Sequence, residues 1–198
     1  MRIILLIIFA FILGSIPFGV IVAKVRGVDL KRIGSGNIGA TNVLRALGKG
    51  SAAITLLGDM LKGTVAVAIG MYLSVEPVYE GLMGLSAIFG HNFSIFLRFK
   101  GGKGVATSLG VLLIYSPQIA ILTLIIWLVV VLVTRYSSLG AIVSFALLPL
   151  NVFIFETPEV KKIKIIISAV ITLLILLRHI GNIERLIKGT ERKIGEQS

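Results

Sequence analysis

Apolar runs separated by short polar breaks make up most of the chain. They predict seven membrane-spanning helices, at residues 3–23, 51–73, 81–97, 105–115, 119–134, 138–155 and 163–177. The first run is longer than the apolar region of a secretory signal and has no clear small-residue cleavage site, so we expect a retained helix that contains Pro17. Several later runs fall short of the ~20 residues that cross ~30 Å of hydrocarbon.

The run at 105–115 is the most ambiguous of the short ones, because it covers only about 17 Å at 1.5 Å per residue. Either its helix starts inside the preceding loop, or it joins 119–134 as one long bent helix across Ser116, Pro117 and Gln118. The first alternative gives seven spans and the second gives six. The distribution of Lys and Arg can decide between them, because cytoplasmic loops are enriched in these residues.

Composition agrees with a membrane protein and excludes two other classes. The chain is 56% hydrophobic and 15% charged, with a mean hydropathy of +1.01, whereas soluble domains are about half apolar and a quarter charged. It also carries 20 Lys and Arg against 9 Asp and Glu. A nucleic-acid partner is not expected, because a basic footprint needs a water-exposed surface. With no Cys, no disulfide or thiolate metal site is expected, and no cluster calls for a metal or cofactor.

The basic residues favour seven spans, with the N-terminus outside and the C-terminus in the cytoplasm. In that arrangement fifteen cations lie on the inner side, and only Arg2, Lys161, Lys162 and Lys164 lie outside. The six-span alternative gives a split of twelve against seven. We therefore expect an all-α integral membrane protein with one domain over residues 1–198, whose inner face gathers three polar segments: 24–50, 98–104 and the tail from 178.

The first polar segment has the composition of a phosphate-binding turn. Gly34, Gly36 and Gly39 allow close approach of the backbone to a ligand, and Thr41 and Asn42 can open a helix. Backbone N–H groups at such a turn form an anion-binding concavity, which the helix dipole reinforces. The remaining candidates in this segment are Ser35, Asn37 and Arg45, whose guanidinium can bind a phosphate through two hydrogen bonds.

The second segment is similar: it combines glycines, a cation and a hydroxyl residue at the start of an apolar helix. We expect Lys103, between Gly102 and Gly104, to be an exposed phosphate ligand, with Thr107 close by. Arg98 and Lys100 are better interpreted as side chains that reach the membrane interface. Neither segment contains the G-x-x-x-x-G-K-[ST] motif, so nucleotide hydrolysis has no support.

The tail and the membrane interior supply the other candidates. His179 and Asn182 are three residues apart and would share one face of a helix, and Arg185 lies on a short amphipathic interfacial helix. Within the spans, Asp59 and Lys62 have the spacing of a salt bridge, and His91 can form a polar link between helices.

Together these segments resemble the motifs of the PlsY family, the bacterial membrane glycerol-3-phosphate acyltransferases that use acyl phosphate as donor. The similar stretches follow the family's order and spacing: residues 34–45, 58–63, 90–93 with 99–107, and 178–191. Ser94 replaces a common Pro, and Glu184 replaces a basic or neutral polar residue, but neither is a proposed ligand.

The resemblance implies seven helices, a site on the cytoplasmic side of the bacterial inner membrane, and acyl transfer to sn-glycerol 3-phosphate. The implied partners are acyl phosphate, the bilayer and an upstream enzyme that forms acyl phosphate. We expect the 35–42 loop to hold one phosphate, Arg45 and Lys103 to bind phosphate oxygens, and His179 and Asn182 to orient the glycerol hydroxyls or the leaving phosphate. The catalytic candidates are therefore Ser35, Arg45, Lys103, His179 and Asn182.

Three alternatives stay open at this point. The base can be His179 or a substrate phosphate oxygen. The stretch from His179 to Glu184 nearly matches the H-x₄-D signature of another acyltransferase class, which would make these two residues a catalytic dyad. From another functional class, the polar loops also suit a transporter of a phosphate-bearing anion or phospholipid, although no convincing inverted repeat is visible.

Overall fold

A computed structural model describes residues 1–195, and the last three residues of the predicted 1–198 domain lie outside it. This part of the chain is helical, with no strand. Two short 3₁₀ turns occur at Leu30–Arg32 and Ile95–Leu97. The α-helices are α1 (Arg2–Ser15), α2 (Phe18–Val25), α3 (Ala40–Tyr72), α4 (Pro77–Asn92), α5 (Val105–Tyr115), α6 (Pro117–Thr134), α7 (Ser137–Ala146), α8 (Leu148–Phe155), α9 (Pro158–Arg178) and α10 (Ile180–Ile187).

The first two predicted spans are longer and less regular than their apolar runs suggest. The first is broken into α1 and α2, because Pro17 cannot donate a backbone hydrogen bond inside a helix. The second begins at Ala40, well before the apolar run, and bends at Gly48, which has φ of 79°. The residues before Gly48 therefore form a helical extension that brings Arg45 to the polar end of the molecule.

The later helices overlap their predicted spans, although α4 ends at Asn92, before the predicted end at residue 97. Proline lies in the first turn of α4, α6, α8 and α9, where the N–H that it lacks would have no partner within the helix. Ser116 separates α5 from α6. The sixth predicted span consists of α7 and α8, bent by 41°. By length and composition, three helices can cross a membrane, or up to five if each bent pair among the described residues is one span.

Small residues let two helix pairs pack with their backbones close together. Side chains at Gly14 of α1 or Gly90 of α4 would overlap backbone atoms of the other helix, and the same holds for Gly63 of α3 and Gly110 of α5. Hydroxyl-to-carbonyl bonds reinforce both pairs, since Ser86 donates to Ile7 at 2.8 Å and Thr64 donates to Gly110 at 2.9 Å. This is the usual packing of helices in lipid, where apolar burial gives little association energy.

The main apolar cluster lies between α4, α5, α7, α8 and α9, with Val67 of α3 and the start of α6 also packed into it. Its fully buried members include Ile88, Val111, Phe145, Leu148 and Ile171. Helix α6 lies at the edge, because its buried residues are only Ile119, Ala120 and Thr123, while Leu132 and Val133 are about four-fifths exposed (77% and 80%). An apolar helix with so little burial requires lipid around it.

Candidate active site

One cavity of about 580 Å³ collects most of the predicted site residues. Its polar half is lined by the 34–42 loop, the start of α5, the junction of α9 and α10, and the tail. Its apolar half is lined by side chains of α3, α5, α6 and α7, among them Leu56, Leu109, Leu124, Trp127 and Phe145. The cavity can therefore hold a ligand with one charged end and one apolar end.

The 34–42 loop is organised by the side chain of Asn42, which is 2% exposed. Its oxygen accepts the Ser35 N–H at 3.0 Å, and its Nδ2 contacts the carbonyls of Leu30, Ile33 and Asn37 at 3.3, 3.1 and 2.8 Å. These bonds use both ends of the amide. Asn42 also lines the cavity, so it shapes the loop, and its role as a phosphate ligand stays a prediction.

Gly34 and Gly36 have positive φ angles of 61° and 67°, so the turn uses conformations that other residues rarely adopt. The Asn37 side chain accepts the Gly39 N–H at 2.9 Å just before α3 begins. Ala40 and Thr41, the first residues of α3, line the cavity. The N-terminal end of α3 and its dipole therefore lie at the polar half of the cavity.

Four cationic residues line the cavity, and two of them, Arg45 and Lys103, are predicted phosphate ligands that come from different elements. Arg45, on the first turns of α3, lines it and donates through Nη2 to the Arg192 carbonyl at 3.2 Å. Lys103, in the second loop, also lines it, and its Nζ donates to Asn182 Oδ1 at 2.6 Å. Lys103 is half-buried, which corrects the expectation of an exposed lysine.

A chain of hydrogen bonds fixes Asn182 beside Lys103. Asn182 Nδ2 donates to Glu191 Oε1 at 2.7 Å, so its oxygen must face the lysine. The same carboxylate accepts Ser138 Oγ at 2.7 Å and Arg185 Nε at 2.8 Å. Glu191 therefore joins α7, α10 and the tail, and it sets the orientation of the asparagine amide.

The electrostatics of this chain depend on burial and on neighbouring charges. Burial lowers the pKa of Lys103 to about 8, although the negative charge of Glu191 acts in the opposite direction. Burial would raise the pKa of Glu191, but hydrogen bonds from Ser138, Asn182 and Arg185 bring that pKa below its ordinary value. The carboxylate is therefore ionised near neutral pH, and the lysine is mainly protonated.

His179 lies at the junction of α9 and α10 and lines the cavity with 2% exposure. Its Nδ1 is 2.7 Å from the Ile175 carbonyl, which can only accept, so Nδ1 carries a hydrogen and the neutral ring has its lone pair on Nε2. Glu184 is exposed, and a carbonyl takes the position that a carboxylate would hold in a dyad. The dyad is therefore not formed.

The second loop folds back along the last turn of α4. The N–H groups of Gly101 and Gly102 donate to the carbonyls of Asn92 and His91 at 3.1 and 3.0 Å. From the other side, Arg178 donates to the carbonyls of the same two glycines at 2.9 and 3.0 Å. The backbone just before Lys103 is therefore fixed by two helices.

Three buried ionisable residues, Asp59, Lys62 and His91, form one network between α3 and α4. Lys62 Nζ lies 2.8 Å from Asp59 Oδ1 and 2.7 Å from His91 Nδ1. Asp59 and His91 also line the cavity. Within residues 1–195 no group of three or more His, Asp or Glu side chains is arranged to hold a metal.

Comparison with known proteins identifies the family. The model of the glycerol-3-phosphate acyltransferase family matches residues 4–189. The chain belongs to this family. Curated relatives with that name include proteins of Mesorhizobium japonicum, 45% identical over 97% of this chain and 96% of the relative, and of Thermus thermophilus, 45% identical over 96% and 94%.

Two crystal structures of PlsY, an integral membrane glycerol 3-phosphate acyltransferase, have the same fold. The glycerol 3-phosphate form has a TM-score of 0.92 at 41% identity, covering 98% of this chain and 96% of that one. The lysophosphatidic acid form has a TM-score of 0.90 at 40% identity, with the same coverage. The predicted all-α integral membrane fold and acyltransferase class are thereby confirmed, and the transporter alternative is set aside.

Most candidate residues of this acyltransferase come together around the cavity, including the five proposed catalytic residues. Gly36, Gly102, Thr107 and Lys62 are not part of its lining. Gly102 contacts the His91 ring, and the side chain of Thr107 is fully buried away from the cavity. The predicted contacts of Gly36, Gly102 and Thr107 with substrate are therefore replaced by packing and turn formation behind the cavity wall.

Several residues of the site were not predicted as members of it. Ser137 and Ser138 bring the start of α7 to the cavity, and Ser137 Oγ lies 3.3 Å from Thr41 Oγ1. Glu191 and Arg178 were quoted only as parts of a motif. For Glu191 the available signal was an acidic residue beside several cations of the tail, which indicates a carboxylate with a cationic or amide partner.

Proposed function

We propose that this acyltransferase moves an acyl group from acyl phosphate to the 1-hydroxyl of sn-glycerol 3-phosphate. The products are lysophosphatidic acid and inorganic phosphate, as in the first step of phospholipid synthesis. An enzyme that forms acyl phosphate must then act upstream. The names of the relatives and the glycerol 3-phosphate and lysophosphatidic acid forms of PlsY support the acceptor and the product.

The observation that carries the proposal is the division of one cavity into a cationic half and an apolar half. Arg45 and Lys103 lie in the first half, and Leu124, Trp127 and Phe145 lie in the second. Acyl phosphate has the same division along its length. Its acyl chain fits the apolar half, and its phosphate and the phosphate of the acceptor fit the cationic half.

Within the cationic half, the start of α3, Arg45 and Lys103 together bind the two phosphates. Arg45 offers a planar set of donors that matches phosphate oxygens, whereas Lys103 acts as a point charge. Ser35 and Thr41 line the same surface and supply hydroxyl donors. Donors fixed in advance stabilise the negative charge that develops on the carbonyl oxygen during transfer.

The transfer needs no nucleophile from the protein. The glycerol oxygen forms a bond to the acyl carbon, the bond from that carbon to the phosphate oxygen breaks, and phosphate leaves with the electron pair. The hydroxyl proton passes to Nε2 of His179 or to an oxygen of the departing phosphate. Because acyl phosphate is already activated, positioning and charge stabilisation supply most of the acceleration.

The topology that suits this reaction has seven spans in the bacterial cytoplasmic membrane, with the N-terminus outside and the site on the cytoplasmic side. The seven spans are α1 with α2, then α3, α4, α5 and α6 singly, α7 with α8, and α9. Helix α5 has only 11 residues, and the loop that folds along α4 leads directly into it, so α5 starts inside the bilayer. Helix α10 then lies at the inner interface.

The decisive experiment measures phosphate release by the purified protein in detergent. Palmitoyl phosphate should release inorganic phosphate only when glycerol 3-phosphate is present, and lysophosphatidic acid should form in equal amount. No covalent acyl-protein should accumulate when the acceptor is omitted. Release without acceptor, or a trapped acyl group on the chain, would contradict direct transfer. A transporter would show no reaction without a sealed membrane.

A further inference from the structure

The ammonium group of Lys62 is fully used inside the protein. It donates to the Ile16 carbonyl at 2.9 Å, contacts Asp59 Oδ1 at 2.8 Å and contacts His91 Nδ1 at 2.7 Å. An ammonium has three hydrogens, and each has one acceptor here. The side chains of Lys62 and Asp59 are 1% and 3% exposed, so water does not compete for these positions.

This arrangement fixes the state of His91. Because Lys62 can only donate, Nδ1 of the ring accepts, and the neutral ring carries its hydrogen on Nε2. Buried ion pairs add little net stability compared with apolar residues of the same size, and they are costly within a membrane. The network therefore needs a reason beyond the attachment of α3 to α4.

That reason is the contact between the His91 ring and the second loop. A side chain on Gly102 would overlap Nε2 and Cε1 of His91, so the loop backbone lies directly against the ring. The Gly102 N–H also donates to the His91 carbonyl at 3.0 Å. The residue that follows is Lys103, whose Nζ must reach both Asn182 and the cavity.

We propose that Asp59, Lys62 and His91 are positioning residues for Lys103. The ion pair holds the imidazole in one orientation. Gly102 packs against the flat ring, and this contact determines the path of the loop. Arg178 holds the same segment from the opposite side through the carbonyls of Gly101 and Gly102. The proposal rests on the phosphate-binding role of Lys103 in the proposed function.

Two substitutions distinguish the steric role of the His91 ring from its role as a hydrogen-bond acceptor. Gly102→Ala pushes the loop away from the ring. His91→Asn keeps an acceptor close to the position of Nδ1 for Lys62, but it removes the atoms that the new side chain would strike. The double variant should therefore accommodate the added methyl group without displacement of Lys103.

The measurement is kcat and KM for glycerol 3-phosphate at saturating palmitoyl phosphate. Gly102→Ala should lower kcat/KM by about 100-fold, the loss expected for a reacting group displaced by about 1 Å. His91→Asn should lose less than about tenfold. If the two substitutions acted independently, their losses in kcat/KM would multiply. The kcat/KM of the double variant should be at least about tenfold higher than that product, because the effects of residues in contact are not additive.

Gly50→Ala is the matched control, because a side chain there would meet nothing within 4 Å. It should leave both constants unchanged. Thermal midpoints in detergent separate a displaced loop from an unfolded protein, and the midpoint of Gly102→Ala should stay close to that of the wild type. If a variant does not fold, Lys62→Met, with His91 intact, should raise KM for glycerol 3-phosphate at least about fivefold in folded protein.

Wild-type kcat/KM in Gly102→Ala, or additive losses in the double variant, would overturn the positioning role. Unchanged kinetics in Lys62→Met would do the same. Failure of the proposed function is a different result, since the wild type itself would then release no phosphate from palmitoyl phosphate and glycerol 3-phosphate.

Discussion

The two glycine-rich loops look alike in sequence, but different parts of the protein hold them in place. The 34–42 loop is held from within, by one asparagine that contacts four backbone groups of its own segment. The 101–104 loop is held from outside, by the end of α4 on one side and Arg178 on the other.

The glycines reflect this difference. Gly34 and Gly36 are needed for positive φ angles, whereas Gly101 and Gly102 are needed because α4 is too close for a side chain. Removal of its one organising residue should therefore disorder the whole of the first loop. A loop held by several elements should keep part of its conformation when one of them is removed. Each loop lies next to one of the two cations proposed to bind phosphate, Arg45 and Lys103, so this difference should be visible in the kinetics.

The largest effects should come from the cations themselves. Lys103→Met and Arg45→Ala should each lower kcat/KM by about 100- to 1000-fold, the loss typical of a fixed donor to a developing negative charge. Lys100→Met removes an exposed cation of the same loop and should change kcat/KM less than about twofold. Near wild-type activity in either of the first two variants would remove that cation from the site.

A smaller loss should distinguish how the two loops are held. Asn42→Ala removes four hydrogen bonds, and although backbone N–H groups still reach the Leu30 and Ile33 carbonyls, the Ser35 N–H and the Asn37 carbonyl lose the partner that Asn42 provides, at about 1–3 kcal/mol per buried group that stays unpaired. Arg178→Met removes two bonds of the second loop but keeps those from α4. We expect a larger fall in thermal midpoint and in kcat/KM for Asn42→Ala, and the reverse order would contradict the comparison.

The loss of activity on the alkaline side should come from only one loop. Below a pKa of about 8 Lys103 is charged, and above it the ammonium is lost, so kcat/KM should fall up to about tenfold per pH unit on the alkaline side. Arg45 stays charged throughout that range. Lys103→Arg should move the descending limb beyond about pH 10, whatever its effect on the maximum. If the activity of this variant still falls near pH 8, the titrating group is not Lys103.

The smallest predicted effect is on stability, and it tests whether each glycine is required for its backbone conformation or for close packing. Asn adopts positive φ more readily than other residues with side chains, so Gly36→Asn should lose less than about 1 kcal/mol of stability and Gly36→Val more. At Gly102 both side chains would overlap the His91 ring, so Asn should be no better than Val. Thermal midpoints of the four variants give the answer, and equal tolerance of Asn at both positions would contradict it.

The sequence predicted the helices well, because an apolar run has few ways to satisfy its backbone in lipid other than as a helix. Helix α5 begins and ends where the run does, at Val105 and Tyr115. The bend at Gly48 and the break between α7 and α8 were missed although each has a local signal, a glycine that adopts a positive φ and a proline that lacks a backbone donor.

Of the site, the two cations and His179 were predicted from residue type, and the structure brings them to one cavity. The loop-shaping bonds of Asn42 were not predicted, because an amide suits a phosphate and a turn equally well. The link from Ser138 to Glu191 joins residues 53 positions apart, which no local pattern contains.

Helix α6 has a consequence for how the enzyme selects its donor. The helix forms one wall of the cavity through Thr123, Leu124 and Trp127, and its other residues are largely uncovered by protein. An acyl chain that enters from the bilayer exchanges one hydrocarbon environment for another, so it gains almost none of the ~0.8 kcal/mol per CH₂ that transfer from water would give. For the proposed acyl phosphate donor, chain length is then distinguished by how well the chain fits beside Trp127 and Phe145, and affinity depends on the phosphate end.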